Sequence, residues 1–587
     1  MKLFFSIMVG FVSLLPDDWI RSLAKGLFVR SQAIWLKAAQ NIQQAQLEVL
    51  TKIIERNQDT AFGRAYGFGQ MTSLDHYKSR VPLQSWDDVM PWVNRMLQGE
   101  ERVLVSEPVS FFATTSGTTG RRKLIPITPS FVEEFRVSRR FWMRTLLLTM
   151  PGMLRGKILS MQSPQTEELP GGIRAGSITR GLSGGVEESE RFMDAVPAEV
   201  FRIRDFKARY FLCMRFALCE EVSLVAAINP STLGLFIKTF QNHHEALAKV
   251  IEEGRLGVSL KDNRHLEEYL ESLCFPRPDV ATLIRESAAK NGGTPLLKDM
   301  WEDLAGVCCW KGGTGSWYLP KITKHFGKVP ILDYGYAASE GGFGAPVDAE
   351  GADSVLMPHG LFFEFMPEEE IDEIRAGEKD THLLHQLRPG KKYNVVISNQ
   401  GGLYRYDMND IVQVTGFYDN VPMVRFCHKG GTMSSVTGEK IGESHVVQAM
   451  DQTLSHVGGQ VDGFVVTPLW PDPEAEEAVP SYLLAVELDE DPEEEYLEKL
   501  TYTFDKSLQM VNMEYGAKRE SLRLDPMEVV LLPKGSFEKI REDKVRRGAP
   551  DAHVKIPHIS PRGTLLIDLG LKEIEPDLLK RALQGPS

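Results

Sequence analysis

The stretch FFATTSGTTGRRKLIPITPSF, residues 111–131, constrains this chain more than any other. Phe111 and Phe112 on one side, and Leu124, Ile125 and Pro126 on the other, are residues of a packed interior. Between them lie threonines, a serine, Gly117 and Gly120, and then Arg121, Arg122 and Lys123. A plain flexible linker is not flanked by such apolar anchors, so the segment reads as a loop held at both ends by a core. Thr114, Thr115, Ser116, Thr118 and Thr119 offer hydroxyl donors, and the glycines let the backbone approach a ligand closely. Exposed N–H groups beside cations make an anion nest, and the ligand implied is a polyphosphate. A P-loop would need G-x-x-x-x-G-K-[ST] before a helix. Here Gly117 and Gly120 stand too close together and Leu124 follows the lysine, so that fold is set aside.

With 587 residues the chain is too long for one core, and two or more domains are expected. The net charge of −13 argues against a general nucleic-acid or anionic-membrane binder, so a phosphate site must be a local cationic feature. None of the six cysteines forms a C-x-x-C pair, which fits buried thiols in a reducing cytosol, and a cytoplasmic location is the expectation. MKLFFSIMVGFVSLLPDDW at the N-terminus is short for a membrane span and lacks a small-x-small cleavage site. Pro16-Asp17-Asp18 looks like a helix start. A buried or surface-lying amphipathic helix is favoured over a signal or anchor, with membrane contact through it the lesser option.

From Asp18 to about Gly99 the pattern is helical, with Ile34, Leu36, Ala39, Ile42, Ala45, Leu47, Leu50 and Ile53 mostly on one stripe. From Val103 to about Phe426 β-rich runs alternate with helices. VPILDYGYAASEGG and KYNVVISNQGGLYRYDMNDIVQVTGFYD read as strands ending in glycine-rich or acidic turns. That is α/β organisation, whose sites lie where strands end in loops. CHKGGTMSSVTGEKIG suits a hinge. Beyond it, strand, helix and strand over PSYLLAVELDE, DPEEEYLEKLTYTFDKSLQMVNMEY and MEVVLLP suggest a small α+β domain. The expected division is a large domain over 1–428, a hinge over 429–440 and a smaller domain over 441–587.

T-S-G-T-T-G-x-x-K resembles the phosphate loop of the adenylate-forming superfamily, which includes acyl-CoA synthetases, peptide-synthetase adenylation domains and luciferases. The surrounding pattern is similar to one branch, the auxin-responsive Gretchen Hagen family of acyl acid–amido synthetases. YGYAASEGGFG resembles that branch's Y-A-S-S-E-x-x-F-G. The resemblance implies that Tyr336 stacks on adenine beside Ala337, Ser339 meets the α-phosphate and Glu340 holds Mg²⁺, an ion that prefers hard oxygens. WKGGTGSWYLP is similar to the family's T-G-A-x-x-x-Y-I-P and implies Gly313 and Thr314 beside the adenine. GLYRYDMNDIVQVTGF resembles G-L-Y-R-Y-R-V-G-D-V and implies that Asp410 accepts from the ribose hydroxyls, a suitable pairing for an acceptor-only carboxylate. Asn409 replaces the family's glycine, and asparagine tolerates the left-handed region better than most residues. Arg425 matches the arginine that ends the large domain. SSVTGEKIGESHV resembles S-x-x-x-x-K-T-x-E, which makes Lys440 a phosphate or hinge contact. The C-terminal GSFEKIREDKVRRGAPDAHVKIPHI implies that Lys555 is the mobile lysine of adenylation, although His553 and His558 stand where the family has Gln and Arg.

The resemblance spans roughly residues 30 to 560 and implies a large adenylate-forming α/β domain with a smaller mobile α+β lid. The implied reaction uses ATP and Mg²⁺. Attack of a carboxylate on the α-phosphorus gives acyl-AMP and pyrophosphate, and an amine acceptor, usually an amino acid, then takes the acyl group. Loop donors with Lys123 would serve the β- and γ-phosphates, because two anions can react only where charge is neutralised and geometry held. A thiol acceptor giving a thioester would carry the same adenylation motifs. A catalytically silent nucleotide-binding regulator is the rival from another class, and a serine hydrolase built on Ser116 lacks its G-x-S-x-G elbow. The resemblance places the acyl site between Leu159 and Phe240. Arg204 or Arg209 in that region could steer a carboxylate, but helix-surface charge is the favoured reading.

Overall fold

A computed structural model describes residues 15–115, 123–161, 166–170, 172–182, 193–261, 263–312, 319–430, 433–434, 436, 439, 441–470, 480–489, 492–520, 524–548 and 554–584. The chain forms two compact units that divide between Phe426 and Cys427.

The first unit opens with helices Asp17–Leu27, Val29–Gln40, Ile42–Asn57, Ala61–Tyr66, Leu74–Arg80 and Trp86–Leu97. The expected continuous stripe from Ile34 to Ile53 is interrupted. Asn41 leaves the helical region (φ −142°, ψ 78°) and its side chain caps the next helix by accepting from the Gln44 N–H. The break separates Val29–Gln40 from Ile42–Asn57. Trp35, Ala38 and Ala39 are buried while Ile34 and Leu36 face outward, a correction to the single-stripe reading. Gln46 on the helix Ile42–Asn57 is buried and satisfied at both ends. Its amide donates to the Pro358 and Leu361 carbonyls (2.8 Å each), and its oxygen accepts from the Phe363 N–H at 2.8 Å. It thereby fixes the helix to the strand that starts there.

Three larger sheets follow. Lys157–Ser160, Val222–Ala226, Gly306–Cys308 and Ile331–Leu332 form a parallel sheet in sequence order. It is packed by helices Phe206–Ala217, Pro230–Glu253 and Pro278–Lys290 over an apolar core that includes Leu212, Phe236, Ile251 and Ile284. Arg209, read from sequence as surface charge, is 3% exposed within this core. Its helix starts at a cap in which Asp205 accepts from the Ala208 N–H, and the guanidinium lies over the Phe206 ring. The second sheet holds the antiparallel pair Phe111–Thr115 and Lys123–Ile127 with Arg174–Gly176 and Thr166–Glu168. Thr128 then caps the helix Pro129–Thr149, whose proline sits at the first turn where no N–H is needed. The third is a seven-stranded sheet ordered Gly344–Ala345, Ser354–Leu356, Val421–Lys429, Tyr406–Tyr418, Lys392–Ser398, Phe362–Pro367, His382–Leu383. Phe362–Pro367 and nearly all of Lys392–Ser398 are buried on both faces, which explains their continuous rather than alternating apolar character.

In the second unit Val461–Leu469 pairs antiparallel with Ser481–Leu488, which runs parallel to Glu528–Leu531. The helix Glu494–Val511 makes the crossover and buries Leu500, Phe504 and Leu508. The strand–helix–strand reading is present as a parallel unit, and Val461–Leu469 adds a strand that the sequence reading did not name.

Candidate active site

The two parallel strands Gly306–Cys308 and Ile331–Leu332 both release the chain at their carboxyl ends, and one buried carboxylate ties the two exits together. Asp333 accepts from the Lys311 N–H (2.7 Å) and from the Gly335 N–H (2.6 Å), and its carbonyl accepts from Trp142 Nε1 at 2.8 Å. The Lys311 ammonium donates to the Ile331, Ala349 and Glu350 carbonyls, and burial draws its pKa down. Gly335 has φ +84°, and a Cβ there would lie 2.6 Å from the Gly344 carbonyl oxygen, so only glycine fits this step.

The chain then delivers Tyr336, whose N–H donates to Ser354 Oγ at 3.0 Å. Its buried ring lies 4.7 Å from Phe343 and 6.4 Å from Phe426. The phenol donates to Asp410 Oδ2 at 3.0 Å. Ala337–Ala338 pairs with Gly341–Gly342, so Ser339 and Glu340 form the two-residue tip of a hairpin. Both are buried, and Asn399 Nδ2 holds the Glu340 carbonyl at 2.7 Å. A Cβ on Gly342 would meet Ser138 Oγ at 2.1 Å, so the hairpin lies directly on the helix Pro129–Thr149.

Asp410 reaches Tyr336 through a bulge. In the ladder with Lys392–Ser398, Asn394 faces Ile411 and Val396 faces Asp407, so Met408, Asn409 and Asp410 stand against the single residue Val395. Asn409 adopts φ +53°, the conformation expected where the family has glycine. Asp407 braces the bulge: its Oδ1 accepts from Asn394 Nδ2 and the Asn409 N–H, and its Oδ2 from Arg375. At the start of this strand the preceding motif arginine, Arg405, serves structure. It pairs inside the protein with Glu364 (3.0 Å) and donates to the Lys78 and Val81 carbonyls.

Lys123 arrives from the other sheet. It opens the strand paired with Phe111–Thr115, in register with Thr115. Its ammonium donates to Tyr406 Oη at 2.8 Å and stands 4.0 Å from Glu340 Oε1, flanked by the Tyr406 and Trp86 rings. Burial, and then the charges of Glu340, Asp410 and Asp407, push the Tyr406 phenol upward, so it stays neutral. Tyr406 and Trp86 had no role in the sequence reading. Tyr406 lies four residues before Asp410 on the same strand, and the lysine it meets comes from another sheet.

Of the remaining expected residues, Arg425 donates to Asp353 Oδ1 at 2.7 Å. Lys555, in the second unit, is exposed, and its carbonyl accepts from Lys544 Nζ at 3.3 Å. His558 is a buried framework residue. Its N–H donates to Glu443, its Nδ1–H to the Phe464 carbonyl, and its ring stacks on Phe464 at 4.3 Å. Ser116, Gly117, Thr118, Thr119, Gly120, Gly313, Thr314, Lys440 and His553 lie outside the described residues, as does the Thr115 side chain. Among the described residues no three His, Cys, Asp or Glu side chains gather as a metal centre. Glu340, a single buried carboxylate beside a lysine, fits a magnesium ion ligated mainly by substrate phosphate and water, as such ions commonly are.

The comparisons agree with this architecture. Residues 33–331 match the GH3 family N-terminal domain, 354–429 the GH3 family central domain and 444–563 the GH3 family C-terminal domain. A solved GH3.15 acyl acid amido synthetase superposes with a TM-score of 0.77 at 21% identity, over 92% of this chain and 95% of that one, which establishes the shared fold. The indole-3-acetic acid-amido synthetase GH3.3 of Arabidopsis thaliana is 26% identical over 88% of this chain and 89% of its own length. The jasmonoyl–L-amino acid synthetase GH3.5 of Oryza sativa subsp. japonica is 25% identical over 89% and 93%. The fold is thus that of a two-unit acyl acid amido synthetase structure. The chain belongs to the GH3 family.

Proposed function

We propose that this GH3-family chain is an ATP-dependent acyl acid–amido synthetase. It joins a carboxylic acid to AMP, releasing pyrophosphate, and then passes the acyl group to an amine of the amino-acid class, forming an amide and releasing AMP. The family supports the enzyme class, and the named relatives are amido synthetases. The observation that carries the reading is the convergence of Lys123 with Glu340 at 4.0 Å and of Tyr336 with Asp410 at 3.0 Å, from three separate sheets and loops.

A carboxylate repels nucleophiles and has no good leaving group, and transfer to AMP removes both obstacles. Both partners of that first step are anions, so the chain must neutralise charge before they meet. Lys123 and the hydroxyl-rich residues 115–120 take the β- and γ-phosphates. Tyr406 fixes the lysine so that its charge needs no reorganisation. Magnesium bound with the triphosphate would be held by Glu340 and would neutralise the developing pyrophosphate. Ser339 and Lys555 serve the α-phosphate. Tyr336, with Ala337, Gly313 and Thr314, borders the adenine, and Asp410 accepts from the ribose hydroxyls while Tyr336 holds its other side. Arg425 and Lys440 are contacts near the division between the units.

The test measures acid-dependent pyrophosphate release from ATP over a panel of carboxylic acids, followed by product analysis with each amino acid. Release stimulated by at least one acid, with an amide formed on adding an amine, is the expected result. Release that no acid stimulates, or coenzyme-A-dependent thioester without amide, refutes it.

A further inference from the structure

The helix Asp17–Leu27 has an apolar arc wider than the protein covers. Ile20 and Ala24 are buried where it packs against Pro129–Thr149 and Pro151–Leu154. On the adjoining strip, at four-residue spacing, Trp19 (65% exposed), Leu23 (52%) and Leu27 (74%) face outward. On the next helix Val29 and Leu36 continue the pattern at helical spacing, with Ala33 between them. Among the described residues, six of the 17 large apolar side chains that stand exposed fall within Trp19–Leu36, so this is a patch rather than scatter. Lys25, Arg30 and Lys37 are exposed on the same two helices, where the exposed acids are few, although the whole chain carries −13.

We propose that this face, Trp19, Leu23, Leu27, Val29 and Leu36 with Arg30 and Lys37, docks in the plane of an anionic lipid surface. Aromatic and aliphatic side chains beside lysines and arginines are what such an interface takes, the apolar groups entering the headgroup boundary and the cations meeting lipid phosphate. Two other occupants fit less well. The preceding sequence from Leu3 to Leu15 contains no charged residue. Laid over the patch, it would substitute one apolar surface for another, whereas a bilayer accepts both. A second copy of the chain would add another Arg30 and Lys37 to the same interface, with no acid there to pair them. The dock lies on the membrane and does not cross it: among the described residues no helix is long and apolar enough to do so.

The full chain is mixed with vesicles of phosphatidylcholine alone, or of phosphatidylcholine with phosphatidylserine, and floated. Binding to the serine-containing vesicles, reduced by salt, is expected. Leu23→Glu/Leu27→Glu should weaken it by about tenfold or more. Arg30→Gln/Lys37→Gln should weaken it by roughly twentyfold, about fivefold for each charge. These side chains are exposed and lie outside the proposed catalytic machinery, so acid-dependent pyrophosphate release with soluble substrates should stay unchanged and report an intact fold. No flotation with either vesicle overturns the proposal. So does flotation indifferent to both sets of substitutions, or self-association abolished by Leu23→Glu/Leu27→Glu without lipid binding.

Discussion

Replacing Tyr406 by Phe removes one oxygen and keeps the ring. In the structure that oxygen accepts a 2.8 Å hydrogen bond from the Lys123 ammonium, while the ring lies 5.5 Å from the same charge. A hydrogen bond to a charged group is worth about 1.5–3 kcal/mol. If Lys123 is the phosphate lysine and Tyr406 its anchor, kcat/KM for ATP should fall roughly ten- to hundredfold. Stability should fall by only about 1 kcal/mol, because the phenyl ring still packs and the lysine, 20% exposed, can turn to water. The assay is acid-dependent pyrophosphate release at varied ATP, in wild type, Tyr406→Phe, Lys123→Met and the double variant. Once Lys123 is gone the phenol has nothing left to position, so the second substitution should add almost nothing. Losses that multiply, or a Tyr406→Phe enzyme as fast as wild type, would refute the anchoring role.

Three further outcomes are expected. Lys555→Ala should slow acyl-adenylate formation by about a hundredfold while leaving acyl transfer from preformed acyl-AMP nearly intact, as single-turnover kinetics of each half-reaction would reveal; equal losses contradict the assignment. Arg405→Ala strips the partner from buried Glu364 and should cost about 3–5 kcal/mol, read as a lower denaturation midpoint or insoluble chain, although the residue touches no substrate. Burial lowers the pKa of the His359 imidazole to about 4, and its Nδ1 is buried without a hydrogen bond. The unfolded chain therefore binds the extra proton first. The stability this group confers is complete above about pH 6.5 and is lost as the pH falls towards 4, by roughly 1–2 kcal/mol allowing for partial exposure. Denaturant midpoints across that window should flatten in His359→Gln.

Much of this arrangement was legible before any coordinates. Strands ending in glycine and acid announced α/β organisation, and the Tyr336–Glu340 run does follow the end of a parallel strand. Asn409 in the left-handed region was foreseeable because so few residues tolerate it. What escaped depended on partners distant in sequence. Asn41 is an ordinary polar residue inside an apolar periodicity until its side chain finds the Gln44 N–H and ends the helix. Arg209 looks like surface charge until the surrounding elements close over it. His558 stands where the family has Arg, yet its stacking on Phe464 and its bonds to Glu443 and the Phe464 carbonyl make it framework. Tyr406 required knowing that a lysine from another sheet would come to rest against it.

Asp333 carries an implication for how variants of this chain are to be interpreted. Its two oxygens bind amides on separate strand exits, so an isosteric Asn could satisfy one and would point an NH₂ at the other. Both the Lys311 turn and the Tyr336 turn would shift together. A clinician of sequences, seeing activity vanish, would diagnose a lost catalytic group, when the lesion is a keystone that never meets the reactants.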